Sequence, residues 1–344
     1  LGLTLLMFQI GMDFEFSHLA ARQHRRGALL VALASVAVPF GLGLGLGVAS
    51  ADALAPGTDQ TLYALFCGNA LAITALPILG RILAQFGLTD KPLGVVAISA
   101  AALNDVAGWV LLASISALAA ARFSPAGLGW QLAGIAGLAA LAWFLLAPLA
   151  SRMVARFPAR DGRLDPSLMA MVLALVFALA ISTYKLGIFA IFGGFLAGLL
   201  FHRHAGFVAA WKGQVGSFVL VFFLPIFFTY TGLRTNVLGL GLADLGWLAI
   251  ILAAAIAGKL LPVFLAGRLA GYSVAESAVL GSLMNTRALM ELIVLNIGRD
   301  LGVLPPKVFT MLVVMAVVTT MMTGPLLRWL LPRTGHVIPE GVEA

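Results

Sequence analysis

Cysteine is nearly absent from this sequence: its 344 residues hold one, Cys67. That excludes an internal disulfide and any cysteine-based metal centre. Charge is almost as scarce. Only 10% of residues are Asp, Glu, Lys or Arg, against about a quarter in a soluble domain of this length. Acidic residues are the rarer sign, 14 against 21 basic, giving a net charge of +7. The basic residues are scattered over many short loops, so the excess does not read as a nucleic-acid surface, and no nucleic acid is expected as a partner. The five histidines (His18, His24, His202, His204 and His336) fall at segment ends or in loops and form no metal set. No phosphate loop is present either. "GLGLGLG" at 41–47 has Leu46 where the dinucleotide pattern needs its third glycine, and no strand precedes it. No hydrolytic triad can be assembled. Neither a cofactor nor enzymatic activity is expected.

What is abundant is apolar length. Hydrophobic residues make up 61% of the chain. They gather into eleven segments at about 1–16, 27–49, 60–87, 92–121, 127–157, 167–184, 186–202, 206–232, 244–269, 273–298 and 305–331. Runs near 20 residues suit a helix crossing a bilayer. They are too long for the roughly 10-residue alternating strands of an outer-membrane barrel. The chain is therefore expected to be an all-α polytopic protein with the lipid bilayer as its partner. Gly41/Gly45, Gly43/Gly47 and Gly194/Gly198 are small-xxx-small pairs, suited to close helix packing within a membrane. The first residue, Leu1, already lies inside the apolar run "LGLTLLMFQIG", with no basic leader or cleavage signal. The chain reads as beginning after its true N-terminus. The other end, "RTGHVIPEGVEA", reads as a short polar tail with no soluble regulatory domain.

The loops orient the segments. If loop 17–26 is cytoplasmic, alternate loops place 14 basic residues on that side and 5 on the other. This is the asymmetry of the positive-inside rule. It puts the C-terminus in the cytoplasm, with a bacterial inner membrane the expected location. Segments 1–4 and 8–11 also echo each other weakly. "LLMFQIGMDFEF" resembles "FFTYTGLRTNVL", and the polar interruption "ITALPIL" is matched by "LMNTRALMEL". The odd step of seven segments reverses the direction of the second set, the pattern of an inverted repeat.

Four charges sit near mid-depth of apolar segments: Asp105, Lys259, Arg287 and Glu291. A charge at mid-depth costs at least roughly 2.5–3.5 kcal/mol, so it faces protein or water and marks a function. Asp105, in "AALNDVAGW", lies 13 residues after Pro92 and 16 before Ala121. A carboxylate there can hold a proton or a bare monovalent cation, but not both. Asn104 adds an amide beside it. The alternative role for Asp105 is a hydrogen bond between helices. Lys259, in "AAAIAGKLLPVFL", is too deep to snorkel, and Asp105 is its natural partner. A fixed salt bridge is the alternative there. Arg287 and Glu291 are spaced to pair along one helix, in a structural or gating role. Asn285 and Thr286 just before them signal unwinding. Pro77 obstructs the turn before it, and Thr74 can answer the freed backbone groups. A break at this depth is tolerated where it lines a cavity or is buried in protein. A merely kinked packing helix is the other reading of Pro77.

"LAITALPILGRILAQFGL", "AISAAALNDVAGWVLLA" and "LMNTRALMELIVLNIGRD" closely resemble three core blocks of the monovalent cation:proton antiporter-2 family, nearest its plant cation/H⁺ exchanger branch and that branch's bacterial relatives. "GMDFEF" and "FFTYTGLRTN" resemble the helix exits of the same family. The resemblance implies a sodium/proton antiporter-like inverted repeat with two broken crossing helices, about 11 of 13 transmembrane segments being present. It implies a core bundle at about 27–121 and 244–331, a dimerisation scaffold at about 1–16 and 167–232, and a linker helix at about 127–157. It implies a homodimer that exchanges Na⁺ or K⁺ for H⁺ by alternating access. Asp105 would be the ion- and proton-binding carboxylate, with Asn104 and Thr74 beside it. Lys259 would be the core lysine, and Thr74 and Pro77 would mark the first break. Arg287 stands where the plant branch often has Lys, and Ala288 where Gly is usual. A cation channel or gated K⁺ efflux protein on the same scaffold is the rival reading, but a channel needs a continuous polar path, and only isolated charges are present.

Overall fold

The computed structural model describes residues 2–12, 25–120, 125–159, 162–187 and 189–339. Every apolar segment becomes helix. In chain order these are α1 (Gly2–Met12), α2 (Arg25–Leu54), α3 (Gln60–Ala72), α4 (Leu76–Gln85), α5 (Pro92–Ala120), α6 (Pro125–Leu141), α7 (Ala147–Arg156) and α8 (Pro166–Lys185). They continue as α9 (Ala190–Phe201), α10 (Ala205–Trp211), α11 (Leu224–Leu233), α12 (Leu242–Leu269), α13 (Val274–Met284), α14 (Leu289–Asp300) and α15 (Pro306–Leu330). Wider π-helical turns at Ala142–Leu146, Lys212–Gly216 and Val219–Phe223 interrupt two of the long segments.

Among the described residues, eight helical spans are long and apolar enough to cross a membrane, or nine if the bent pair α13–α14 counts as one. The eleven crossings expected from sequence are therefore not all matched. α1 and α9 have only 11 and 12 residues, about 16–18 Å of rise against a hydrocarbon core of about 30 Å. The basic loop around 17–24 and the "DFEF" exit lie outside the described residues.

The chain forms two compact units, Leu1–Glu15 with Ser116–Gly232, and Phe16–Ile115 with Leu233–Ala344. In lipid, apolar side chains gain little by leaving their surroundings, so helices associate through close backbone approach. Glycine supplies that approach in both units. In the first, Gly194 and Gly198 of α9 lie against the Thr4 and Phe8 carbonyls of α1. Phe8 then meets Trp211 edge to face, with ring centres 4.8 Å apart, in a core shared with Val172, Val176 and Phe201. In the second unit, Gly43 and Gly47 of α2 press on Cys67 and Ala64 of α3, while Gly41 and Gly45 face open space. Only one of the two glycine pairs in "GLGLGLG" is therefore a packing seam. Gly267 on α12 lies against Ser277 of α13 in the same way. This second unit carries Asp105, Lys259, Arg287 and Glu291, all buried.

Candidate functional site

Two helices of the second unit are interrupted. α3 ends at Ala72, with Ile73 extended (φ −69°, ψ 144°). α4 begins at Leu76 after Ala75 (φ −86°, ψ 99°). Pro77 occupies the first turn of α4, where its missing N–H is no loss. The break thus falls just before the proline, as its ring requires. The second interruption spans Asn285–Ala288, between α13 and α14, which are bent by 42°. The two breaks meet: the Ala75 amide donates to the Thr286 carbonyl at 3.0 Å, and the Thr74 hydroxyl donates to the Met284 carbonyl at 2.9 Å. Each break thus meets hydrogen-bonding needs of the other. Thr320 on α15 accepts from the Arg287 amide at 3.0 Å, and the Asn285 amide group donates to the Thr319 carbonyl.

A helix ends with unsatisfied carbonyls and a partial negative charge. At the end of α3 two buried cations meet them. Arg287 donates to the Ala70 carbonyl at 2.7 Å and the Leu71 carbonyl at 2.9 Å. Lys259 donates to the Ala72 carbonyl at 2.5 Å, to the Ser35 carbonyl at 2.7 Å and to the Thr74 hydroxyl at 2.8 Å. The expected direct pairing of Lys259 with Asp105 does not form. The lysine is held by oxygens of α2, of the end of α3 and of the break that follows it, and its interaction with Asp105 is through space. The expected pairing of Arg287 with Glu291 does form, though not along one continuous helix. Arg287 lies in the break, before α14 starts, and reaches Glu291 only at 3.5 Å.

Asn104 ties α5 to this crossing. Its carbonyl oxygen accepts from the Thr74 amide at 3.2 Å, and its amide nitrogen donates to the Ser35 hydroxyl at 3.0 Å and the Thr74 hydroxyl at 3.3 Å. Asp105 is 3% exposed. Its carboxylate accepts from the Leu76 amide at the start of α4, an N-terminal site that favours an anion. Its Oδ1 has no hydrogen-bond partner in the protein. Asp105 also lines a small cavity of about 10 Å³, with Ile73, Gly108, Trp109, Met290 and Val294. That is near the least volume that admits one water-sized particle. The arrangement can hold one small cation or one proton at a carboxylate whose other oxygen is fixed.

The structure thus brings Thr74, Asn104, Lys259, Asn285, Thr286 and Arg287 into one crossing, with Asp105 and Pro77 at the start of α4 and Glu291 in the first turn of α14. Sequence reasoning passed over Ser35, Thr319 and Thr320. Ser35 is the sole hydroxyl in the apolar run 28–49, a signal that could have found it. The α3 carbonyls carry no sequence signal beyond the break itself.

Comparison with known proteins adds an independent line. The family model described as sodium/hydrogen exchanger, transmembrane, matches residues 1–333. A cation/H⁺ antiporter of Arabidopsis thaliana, number 17, is 37% identical over 95% of this chain and 40% of its own length. The chain therefore spans about two fifths of that plant relative. The Na⁺/H⁺ antiporter NhaS4 of Synechocystis is 35% identical over 98% of this chain and 82% of its own length. Among solved structures, the sodium proton antiporter MjNhaP1 of Methanocaldococcus jannaschii superposes with a TM-score of 0.65 at 15% identity, covering 95% of this chain and 81% of that one. At that identity the likeness is one of fold.

Proposed function

The chain belongs to the sodium/hydrogen exchanger transmembrane family, and from that premise we propose that it is a secondary antiporter exchanging Na⁺ or K⁺ for H⁺. Asp105 holds cation and proton in turn. The observation that carries this reading is the Asp105 carboxylate itself: buried, with one oxygen unpartnered, lining a cavity of single-ion size, beside the crossing of two broken helices. Asn104 and Thr74 shape the site, and Lys259 balances its charge from α12. When a cation sits at Asp105, the carboxylate cannot keep its proton, so the two ions share one position and are exchanged rather than carried together.

Alternating access asks for a core bundle that moves as a body. The second compact unit, which holds every residue of the site, supports assigning 27–121 and 244–331 to that core, with the scaffold at 1–16 and 167–232. We assign the chain to a bacterial inner membrane with its C-terminus in the cytoplasm, on the charge asymmetry of its loops, and take it to be a homodimer on its family likeness alone. The deciding experiment is dye-reported proton flux in proteoliposomes under imposed Na⁺ or K⁺ gradients. Wild-type protein is expected to exchange and Asp105→Asn to be silent. Undiminished exchange by Asp105→Asn would overturn the assignment, and single-channel currents without proton coupling would favour a channel instead.

A further inference from the structure

The exchange reading uses one carboxylate, but the second unit buries another. Glu291 is fully buried in the first turn of α14. A buried carboxylate is normally held closely to a cation and satisfied at both oxygens; Glu291 has a long ion pair at one oxygen and no partner at the other. Its Oε2 lies 3.5 Å from Arg287, at the limit of a hydrogen bond. Its Oε1 has no partner. Arg287, in contrast, is held without it, by the Ala70 and Leu71 carbonyls at 2.7 and 2.9 Å. An arginine supported only by a carboxylate would be stranded when that carboxylate became neutral. This one would keep both of its short bonds. The two charged groups that act on Glu291 are Arg287 beside it and Lys259 on α12. Lys259 acts on Asp105 as well, so the charge states of the two carboxylates are linked through it.

We propose that Glu291 is a second proton-exchanging carboxylate, binding and releasing one proton in each transport cycle while Arg287 stays fixed on the end of α3. The step is a bare proton transfer: the Glu291 carboxylate takes a proton from water to become a neutral acid, and returns it when a cation arrives at Asp105. This rests on the antiporter reading and sets how much charge the cycle moves.

The test is proton and cation flux by the full chain in proteoliposomes under a clamped membrane potential. Glu291→Gln is expected to move one proton fewer per cation than wild type and to shift the pH of half-maximal exchange. An unchanged ratio with an unchanged pH profile would overturn the proposal and leave Glu291 a fixed counter-charge. Should Glu291→Gln fail to assemble, wild-type protein carrying ¹³C at its glutamate carboxyls decides. A protonated-carboxyl infrared band shielded from solvent exchange, and lost on adding cation, supports the proposal. Its absence across the working pH range refutes it. Wild-type protein that shows no exchange at all would instead remove the antiporter reading, a separate failure.

Discussion

Ala288 is the one non-glycine residue with positive φ among the described residues, at φ 104° and ψ −119°. Its neighbours explain why it is there. Thr286 is tied through its carbonyl to Ala75, and Arg287 is tied through its amide to Thr320 and through its guanidinium to α3. The chain must then start α14 at once, with the Leu292 amide bonding back to the Ala288 carbonyl. All the reversal falls on one residue. For a residue with a Cβ this conformation costs about 1–3 kcal/mol. Ala288→Gly removes that strain, but adds about 0.4–1 kcal/mol of chain entropy to the unfolded side. The balance is a stabilisation of about 1 kcal/mol, opposite in sign to the usual effect of Ala→Gly. Ala249 supplies the control, since it is exposed in the third turn of α12, inside a helix, where glycine costs about 0.5–1 kcal/mol. Thermal unfolding of detergent-purified protein is the assay: Ala288→Gly is expected to melt above wild type and Ala249→Gly at or below it. If Ala288→Gly melts lower, the second break is not strained and the account of how it is held fails.

Other outcomes follow from the same geometry. Lys259→Met leaves the Ser35 and Ala72 carbonyls and the Thr74 hydroxyl short of a donor, and is expected to destabilise by about 3–5 kcal/mol, read as a lowered melting temperature. Asn104→Ala removes three hydrogen bonds around Thr74 and is expected to weaken cation affinity at least tenfold, read as a raised KM for cation with protein still correctly inserted. Competition for Asp105 gives a pH dependence of definite sign: as pH falls through the range where the site titrates, protons occupy it. The apparent KM for cation then rises about tenfold per unit while the maximal rate holds, and a KM that falls on acidification would refute a shared site. Gly47→Val presses a side chain into the Ala64 backbone and should destabilise by about 1–3 kcal/mol, whereas Gly45→Val, facing open space, should be near neutral in thermal unfolding.

Much of this molecule could be read from residue order because the bilayer imposes simple demands. Apolar length gave the helices, and the expense of a buried charge singled out Asp105 and Lys259 before any geometry was known. Pro77 located the first break to within a few residues. What escaped was the allocation of partners. Lys259 and Asp105 looked complementary as isolated charges, yet an ammonium has three donors to satisfy, and the open end of α3 offered carbonyl acceptors. Arg287 meets carbonyls of the same helix end while still pairing with Glu291 at 3.5 Å. The spacing of four residues gives that pair even though the helix starts only at Leu289, two residues after Arg287. The crossing length of α9 was likewise overstated, because the helix begins at Ala190, after a turn with Gly187 at positive φ, while apolarity begins earlier.

The shared tenancy of the α3 terminus has a consequence for how such a sequence can change. Lys259 and Arg287 are 28 positions apart, on different elements, yet they occupy successive carbonyls of one helix end. Losing either one loosens that end, so removing the second afterwards should matter less than removing it first. Residues that share partners in this way typically show a coupling of about 0.5–3 kcal/mol. In a population of variants the two positions would then be inherited as a linked choice. A lineage that had already given up one cation could drop the other at small further penalty, while regaining either alone would bring back only part of what was lost.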